Sequence, residues 1–216
     1  MNKKTLFTTS IYEKLNFINE NDITNLISYI KDNKVNKTNN NFNGDVDSSF
    51  SPEPKGLLDN FLDLKNNLNK EIKKCADMIG CDSNLEITNS WYNIQKRNST
   101  LKMHTHANSI ISGILYLKVD KNSSRLYFSN PNPVGYEWTN RDDIFNINTN
   151  TIAADSWEFV GQENLLILFP GWAAHGVGGN ASKDNRISIS FNMSIKKSGD
   201  LDSKYKRKAS ENSEIL

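Results

Sequence analysis

The chain has 216 residues, 37% hydrophobic and 24% charged, with 26 Lys and Arg against 25 Asp and Glu for a formal charge of +1. That length can bury the core of one ordinary domain with attachments, and the balanced charge gives no global basic field for nucleic acid. No apolar run reaches the roughly 18–20 residues of a membrane span.

The start, MNKKTLFTTSIYEKLNF, lacks the apolar h-region of a signal peptide. Two closely spaced cysteines, Cys75 and Cys81, make no disulfide framework. The expectation is a reduced, cytoplasmic protein with no membrane contact. Asn occurs 32 times; Asn, Lys and Ile share AT-rich codons, so this reads as genome composition rather than function.

In chain order, residues 5–12 read as a short strand. A helix follows with Asn21 as N-cap and Ile23, Leu26, Ile27 and Ile30 at helical spacing. Residues 33–50 (NKVNKTNNNFNGDVDSSF) read as a flexible loop, because Asn and Gly favour turns. A second helix is expected over about 57–79, with an apolar stripe of Phe61, Leu64, Leu68, Ile72, Cys75 and Ile79 and a stop at Gly80. From Leu85 the texture changes. Strand-like runs appear at 85–96, 111–119, 124–128, 155–160, 164–169 and 186–195, separated by Asn, Gly, Pro and Ser clusters, as in a β-sandwich or barrel. Residues 129–155 read as a long loop, with a lid as its candidate role. Residues 196–216 read as a polar tail with a small basic cluster, a solvated end rather than a nucleic-acid arm.

The chain holds three histidines: His104, His106 and His175. On a strand, residues i and i+2 share a face about 6.5–7 Å apart, so His104 and His106 can converge on one metal at about 2.0–2.1 Å per bond. His175 follows the apolar run 165–169 and a Pro-Gly-Trp turn, and a sandwich brings such a distant segment across. In 186–192, Arg186, Ser188 and Ser190 alternate with Ile187, Ile189 and Phe191. An inward Arg is costly unless paired, and a carboxylate suits it best.

Trp91, Asn93, His104, His106, Ser112-Gly113, Tyr116-Leu117, Phe169-Pro170, Trp172, His175, Val177, Arg186, Ser188, Phe191 and Asn192 stand in an order that resembles the 2-oxoglutarate/Fe(II)-dependent oxygenases. The likeness is strongest to a bacterial and phage branch and spans about residues 86–196. It implies a mainly β chain with N-terminal helices and a double-stranded β-helix, or jelly roll, as core. The implied organisation is N-terminal support at 1–84, an oxygenase core at 85–196 and a disordered tail at 197–216.

Carried over residue by residue, His104 and His175 would be metal ligands. Arg186, eleven positions after His175, would bind the distal carboxylate of 2-oxoglutarate with Ser188 beside it. Tyr116 and Asn93 are weaker candidates for cosubstrate contact. The family motif is H-x-D or H-x-E, and His106 departs from it. Three neutral imidazoles leave Fe(II) at +2, which an anionic cosubstrate could offset; such sites also suit zinc and cosubstrate-independent dioxygenases. His106 is expected as the third ligand, with a place beside the metal as the alternative. The implied activity uses Fe(II), 2-oxoglutarate and O2 to hydroxylate a C–H bond, with release of succinate and CO2. The substrate could be a small molecule, a peptidyl side chain or a nucleobase. The competing reading is a metal-binding, cupin-like jelly roll without turnover, and an inward Arg186 argues against it.

Overall fold

The computed structural model describes residues 8–35, 41–51, 56–81, 84–131 and 154–195. The first part holds strand β1 (Tyr12–Leu15), helix α1 (Glu20–Asp32), the short strands β2 (Phe42–Asn43) and β3 (Val46–Ser48), a 3-10 turn (Leu57–Asn60) and helix α2 (Leu62–Met78). Then come β4 (Leu85–Gln95), β5 (Thr100–His104), β6 (Ile111–Lys118) and β7 (Leu126–Ser129). The last four strands are β8 (Ser156–Phe159), β9 (Leu165–Pro170), β10 (His175–Val177) and β11 (Arg186–Ile195).

The strands pair antiparallel into two sheets. One has six strands in the order β1-β9-β6-β11-β4-β3, and the other five in the order β2-β5-β10-β7-β8. The chain passes back and forth between them, as in the jelly roll expected from the sequence. Ile114, Tyr116, Ile167 and Phe169 from the first sheet pack with Leu126, Phe128 and Val177 from the second. The outer face of the six-stranded sheet, with Leu115, Ile187, Ile189 and Phe191, packs with Leu26 and Ile30 of α1 and Leu68 and Ile72 of α2. The result is three layers: helices, sheet, sheet. Among the described residues no helix is long and apolar enough to cross a membrane.

Several local expectations shift. The first strand lies at 12–15, and residues 8–11 are not strand. The cap of α1 is Asn19, whose side chain accepts the Asp22 N–H at 2.8 Å, and not Asn21. The Asn-rich stretch contributes β2 and β3, each too short to carry a periodic signal, and all of β3 is buried. Gly80 does end α2 in the left-handed region (φ +72°), yet Ile79 is 42% exposed and leaves the apolar stripe. Cys75 is buried, with its thiol pushed up to about 11 by burial. Most of the expected lid (132–153) and the tail (196–216) lie outside the described residues.

Leu68 is fully buried between α2 and the sheet. Leu68→Ala is expected to cost about 2–5 kcal/mol of stability, read as a lowered urea midpoint with an unchanged slope.

Candidate metal centre

His104 closes β5 and His175 opens β10, and the two lie directly opposite each other in the antiparallel ladder. Their ring centroids are 4.4 Å apart. His106 is not on the strand; it sits in the loop that follows. That loop is clamped by the backbone, with the His106 N–H donating to Gly171 O at 2.8 Å and the Gly171 N–H to Ile110 O at 3.0 Å. A Cβ on Gly171 would overlap the Ser109 carbonyl oxygen, so only glycine allows this close approach. The loop does what strand alternation was expected to do. It brings His106 Nε2 to 3.2 Å from His104 Nε2. One ring nitrogen from each of the three histidines lies within 4.8 Å of the others, and no carboxylate joins them among the described residues.

The tautomers are set by what the other ring nitrogen touches. His104 Nδ1–H donates to Lys102 O and His175 Nδ1–H to Ala173 O, each at 2.9 Å. His106 Nδ1–H donates to Asn192 Oδ1 through a short bond. Carbonyl oxygens only accept, so each Nδ1 carries the hydrogen and each Nε2 presents a lone pair. Two lone pairs at 3.2 Å repel unless an electrophile lies between them. A divalent cation with bonds of about 2.1 Å at right angles would hold its donors about 3 Å apart. The donor set therefore fits a metal.

Burial holds the rings neutral. It lowers His104, takes His106 down to about 4, and, with His104 adjacent, takes His175 down to about 3. Phe169 packs edge-on against His175 at 4.6 Å, and Trp91 stacks near His106 at 6.2 Å. An open cleft of about 1510 Å³ lies beside the histidines, with Asn89, Trp91, Asn93, Asn108, Ser190 and Asn192 among its lining residues.

On β11, Ser190 and Asn192 face this cleft, and the same row continues inward to the buried Ser188 and Arg186. Arg186 is 2% exposed. Its guanidinium carbon lies 4.6 Å from the centre of the Tyr116 ring, and Nη1 donates to Gln95 Oε1. Among the described residues, Arg186 Nε and Nη2, Tyr116 Oη and Gln95 Nε2 have no hydrogen-bond partner. Because Arg can only donate, Gln95 must turn its oxygen to it, which leaves the amide N–H₂ unspent. These are unsatisfied donors beside a buried positive charge, an arrangement that costs several kcal/mol unless an anion accepts from it. Asn93 lines the cleft opposite Ser188 in the ladder, with its carboxamide held between Ser48 Oγ at 2.7 Å and Ser190 Oγ at 3.2 Å. Sequence reasoning missed Gln95 and any role for Asn192; only their cross-strand partners reveal them.

The neutral histidines make the metal-free protein acid-sensitive. In the unfolded chain they titrate near 6.5, above their folded values, so the unfolded state binds more protons between about 6.5 and 3. Stability of the metal-free protein should be full above about pH 6.5 and fall progressively as pH drops toward 3. Thermal midpoints across that range check this, and His175→Asn should flatten the slope.

Residues 89–192 match the family model described as "Putative 2OG-Fe(II) oxygenase". No curated protein sequence matches. Among solved structures, the chain is similar to a Pseudomonas putida prolyl-4-hydroxylase, with TM-score 0.58 and 11% identity over 88% of this chain and 95% of that one. It is also similar to HygX from Streptomyces hygroscopicus, solved with nickel and 2-oxoglutarate bound, with TM-score 0.62 and 10% identity over 87% of this chain and 84% of that one. At such identities the structural likeness carries the fold alone, and the matched segment holds the three histidines and Arg186. Residues 89–192 are thus similar to the 2-oxoglutarate/Fe(II)-dependent oxygenases, oxidoreductases that use Fe(II), 2-oxoglutarate and O2.

Proposed function

We propose that the chain is an Fe(II)- and 2-oxoglutarate-dependent dioxygenase that hydroxylates a C–H bond of its substrate, with release of succinate and CO2. The observation that carries this reading is the combination of three Nε2 lone pairs with a buried Arg186, two of whose nitrogens have no hydrogen-bond partner among the described residues, on the row of β11 that leads to them. His104, His106 and His175 would hold the metal. When bound, the metal supplies the redox chemistry by which O2 oxidises cosubstrate and substrate.

The remaining steps belong to the protein. Arg186 binds the distal carboxylate of 2-oxoglutarate, and Tyr116 Oη and Gln95 Nε2 donate to the same group. Ser188 stands next on the row. The cosubstrate's charge also offsets the +2 that three neutral imidazoles leave in place, which makes H-x-H workable where the family motif has H-x-D or H-x-E. Phe169 and Trp91 shield the histidines from bulk water. The wide cleft admits a substrate from the side of Asn89 and Asn108. The substrate classes open to this reading are a small molecule, a peptidyl side chain and a nucleobase.

Anaerobic titration with Fe(II) and 2-oxoglutarate tests the proposal. A weak visible charge-transfer band and succinate formation in air are expected, and a protein that binds metal without either is a cupin-like binding module. Arg186→Met should keep the fold and Fe(II) and weaken 2-oxoglutarate by roughly 2–5 kcal/mol, the cost of truncating one partner of a buried charge pair. Unchanged cosubstrate affinity would remove Arg186 from this role. His106→Ala should weaken Fe(II) by more than the roughly 10–100-fold typical of losing a residue that merely supports a ligand, whereas His106→Asp should retain it by restoring the family triad. Metal affinity untouched in His106→Ala would place His106 outside the coordination sphere.

A further inference from the structure

Imidazole offers Nε2 to a metal only when its hydrogen sits on Nδ1. For His104 and His175 that choice is local, because the acceptor is a main-chain carbonyl two residues earlier in each case, Lys102 O and Ala173 O. No side chain is needed to supply it. His106 stands in a loop and has no such carbonyl. Its Nδ1–H is accepted by the side-chain Oδ1 of Asn192, 86 residues away on β11.

The carboxamide is oriented as well as placed. Ser112 Oγ lies 3.0 Å from the same Oδ1 and 3.0 Å from Ser109 Oγ. Ser109 Oγ is tied to Ile111 O at 2.6 Å. Ser112 has one hydroxyl hydrogen, within reach of either Ser109 Oγ or Asn192 Oδ1; directed to Oδ1, it joins the ring N–H on one oxygen and keeps the amide nitrogen turned away from the ring. Asn192 itself is fixed by its ladder pairing to Asn89 on one side and Ser112 on the other.

Without this acceptor, His106 has an alternative. With its hydrogen on Nε2 it could donate to His104 Nε2, 3.2 Å away, and the pair would satisfy itself with no metal present. The geometry points to Asn192 as the positioning residue that holds His106 in the metal-ready tautomer and keeps this histidine pair from closing on itself. The inference rests on the three histidines being the metal centre. It concerns a group that orients a ligand rather than one that touches the metal.

Nitrogen-15 NMR of the metal-free, full-length chain reads the tautomer directly. Native His106 is expected to carry its hydrogen on Nδ1, and Asn192→Leu should move a substantial population to Nε2. In parallel, competition with a chelating dye should show Asn192→Leu weakening Co(II) and Fe(II) by roughly 10–100-fold. Asn192→Asp keeps an acceptor in place and should hold both the Nδ1 tautomer and native or tighter metal affinity. If Asn192→Leu does not fold by circular dichroism, Asn192→Ser, whose hydroxyl is too short to reach the ring, replaces it. Native His106 protonated on Nε2 overturns the inference. So does a Leu variant with native tautomer and native affinity, or an Asp variant that loses metal as the Leu variant does. A wild-type chain that binds no metal, yet shows the tautomer shift in Asn192→Leu, would sink the metal-centre reading and leave the assignment of Asn192 standing.

Discussion

The structure depends on the uninterrupted alternation of β11. This strand is paired on both sides, to β4 and to β6, and lies between the helical layer and the second sheet. Its odd positions, Ile187, Ile189, Phe191 and Met193, pack toward the helices. Its even positions, Arg186, Ser188, Ser190 and Asn192, face the jelly-roll interior. A slip of one residue would exchange the two sets and bury charge in an apolar layer. Two irregularities occur in its pairing, and both are absorbed by its neighbours. Leu117 is the extra residue on β6 and Thr88 the extra residue on β4. The central strand keeps its period of two, and the polar row stays aimed at the site.

That row spends stability. Among the described residues, two nitrogens of the buried Arg186 have no hydrogen-bond partner, and Tyr116 and Gln95 each leave a donor unused beside it. The histidines are held neutral by burial with three lone pairs directed at one point. Each is unfavourable by itself, and each becomes favourable with a ligand of the right charge, an anion for the donors and a cation for the lone pairs. The surrounding apolar packing makes this tolerable. Phe128 and Phe169 contact His175, and the inter-sheet core closes around Tyr116. Low polarity raises the cost of leaving such groups unpaired and strengthens the binding that pairs them.

The three histidines reach one point by two different routes. His104 and His175 meet through ladder register, a property of two paired strands. His106 arrives through a loop clamped to Gly171 and oriented by Asn192. Replacing a carboxylate with a histidine in the H-x-H motif thus brings a requirement that a carboxylate ligand does not have. A second ring nitrogen must be given an acceptor.

Sequence alone determined the strands of the second half, because β6, β9 and β11 are long enough for apolar runs or alternation to show. It also determined the three histidines, the inward Arg186 and the family resemblance, since these lie in residue identity and spacing. Tertiary structure decided the rest. Strands β2 and β3 are two and three residues long, with no period to read, and they exist because neighbouring ladders accept them. Asn19 rather than Asn21 caps α1 because the cap is fixed by where the first free N–H points, and several asparagines compete for that place. His106 is off the strand because the chain turns at His104, and only the close approach to Gly171 returns the ring to the site. Gln95 and Asn192 have no motif that marks their hydrogen bonds. Their roles come from partners 91 and 86 residues distant, and cross-strand pairing sets those contacts where local sequence does not.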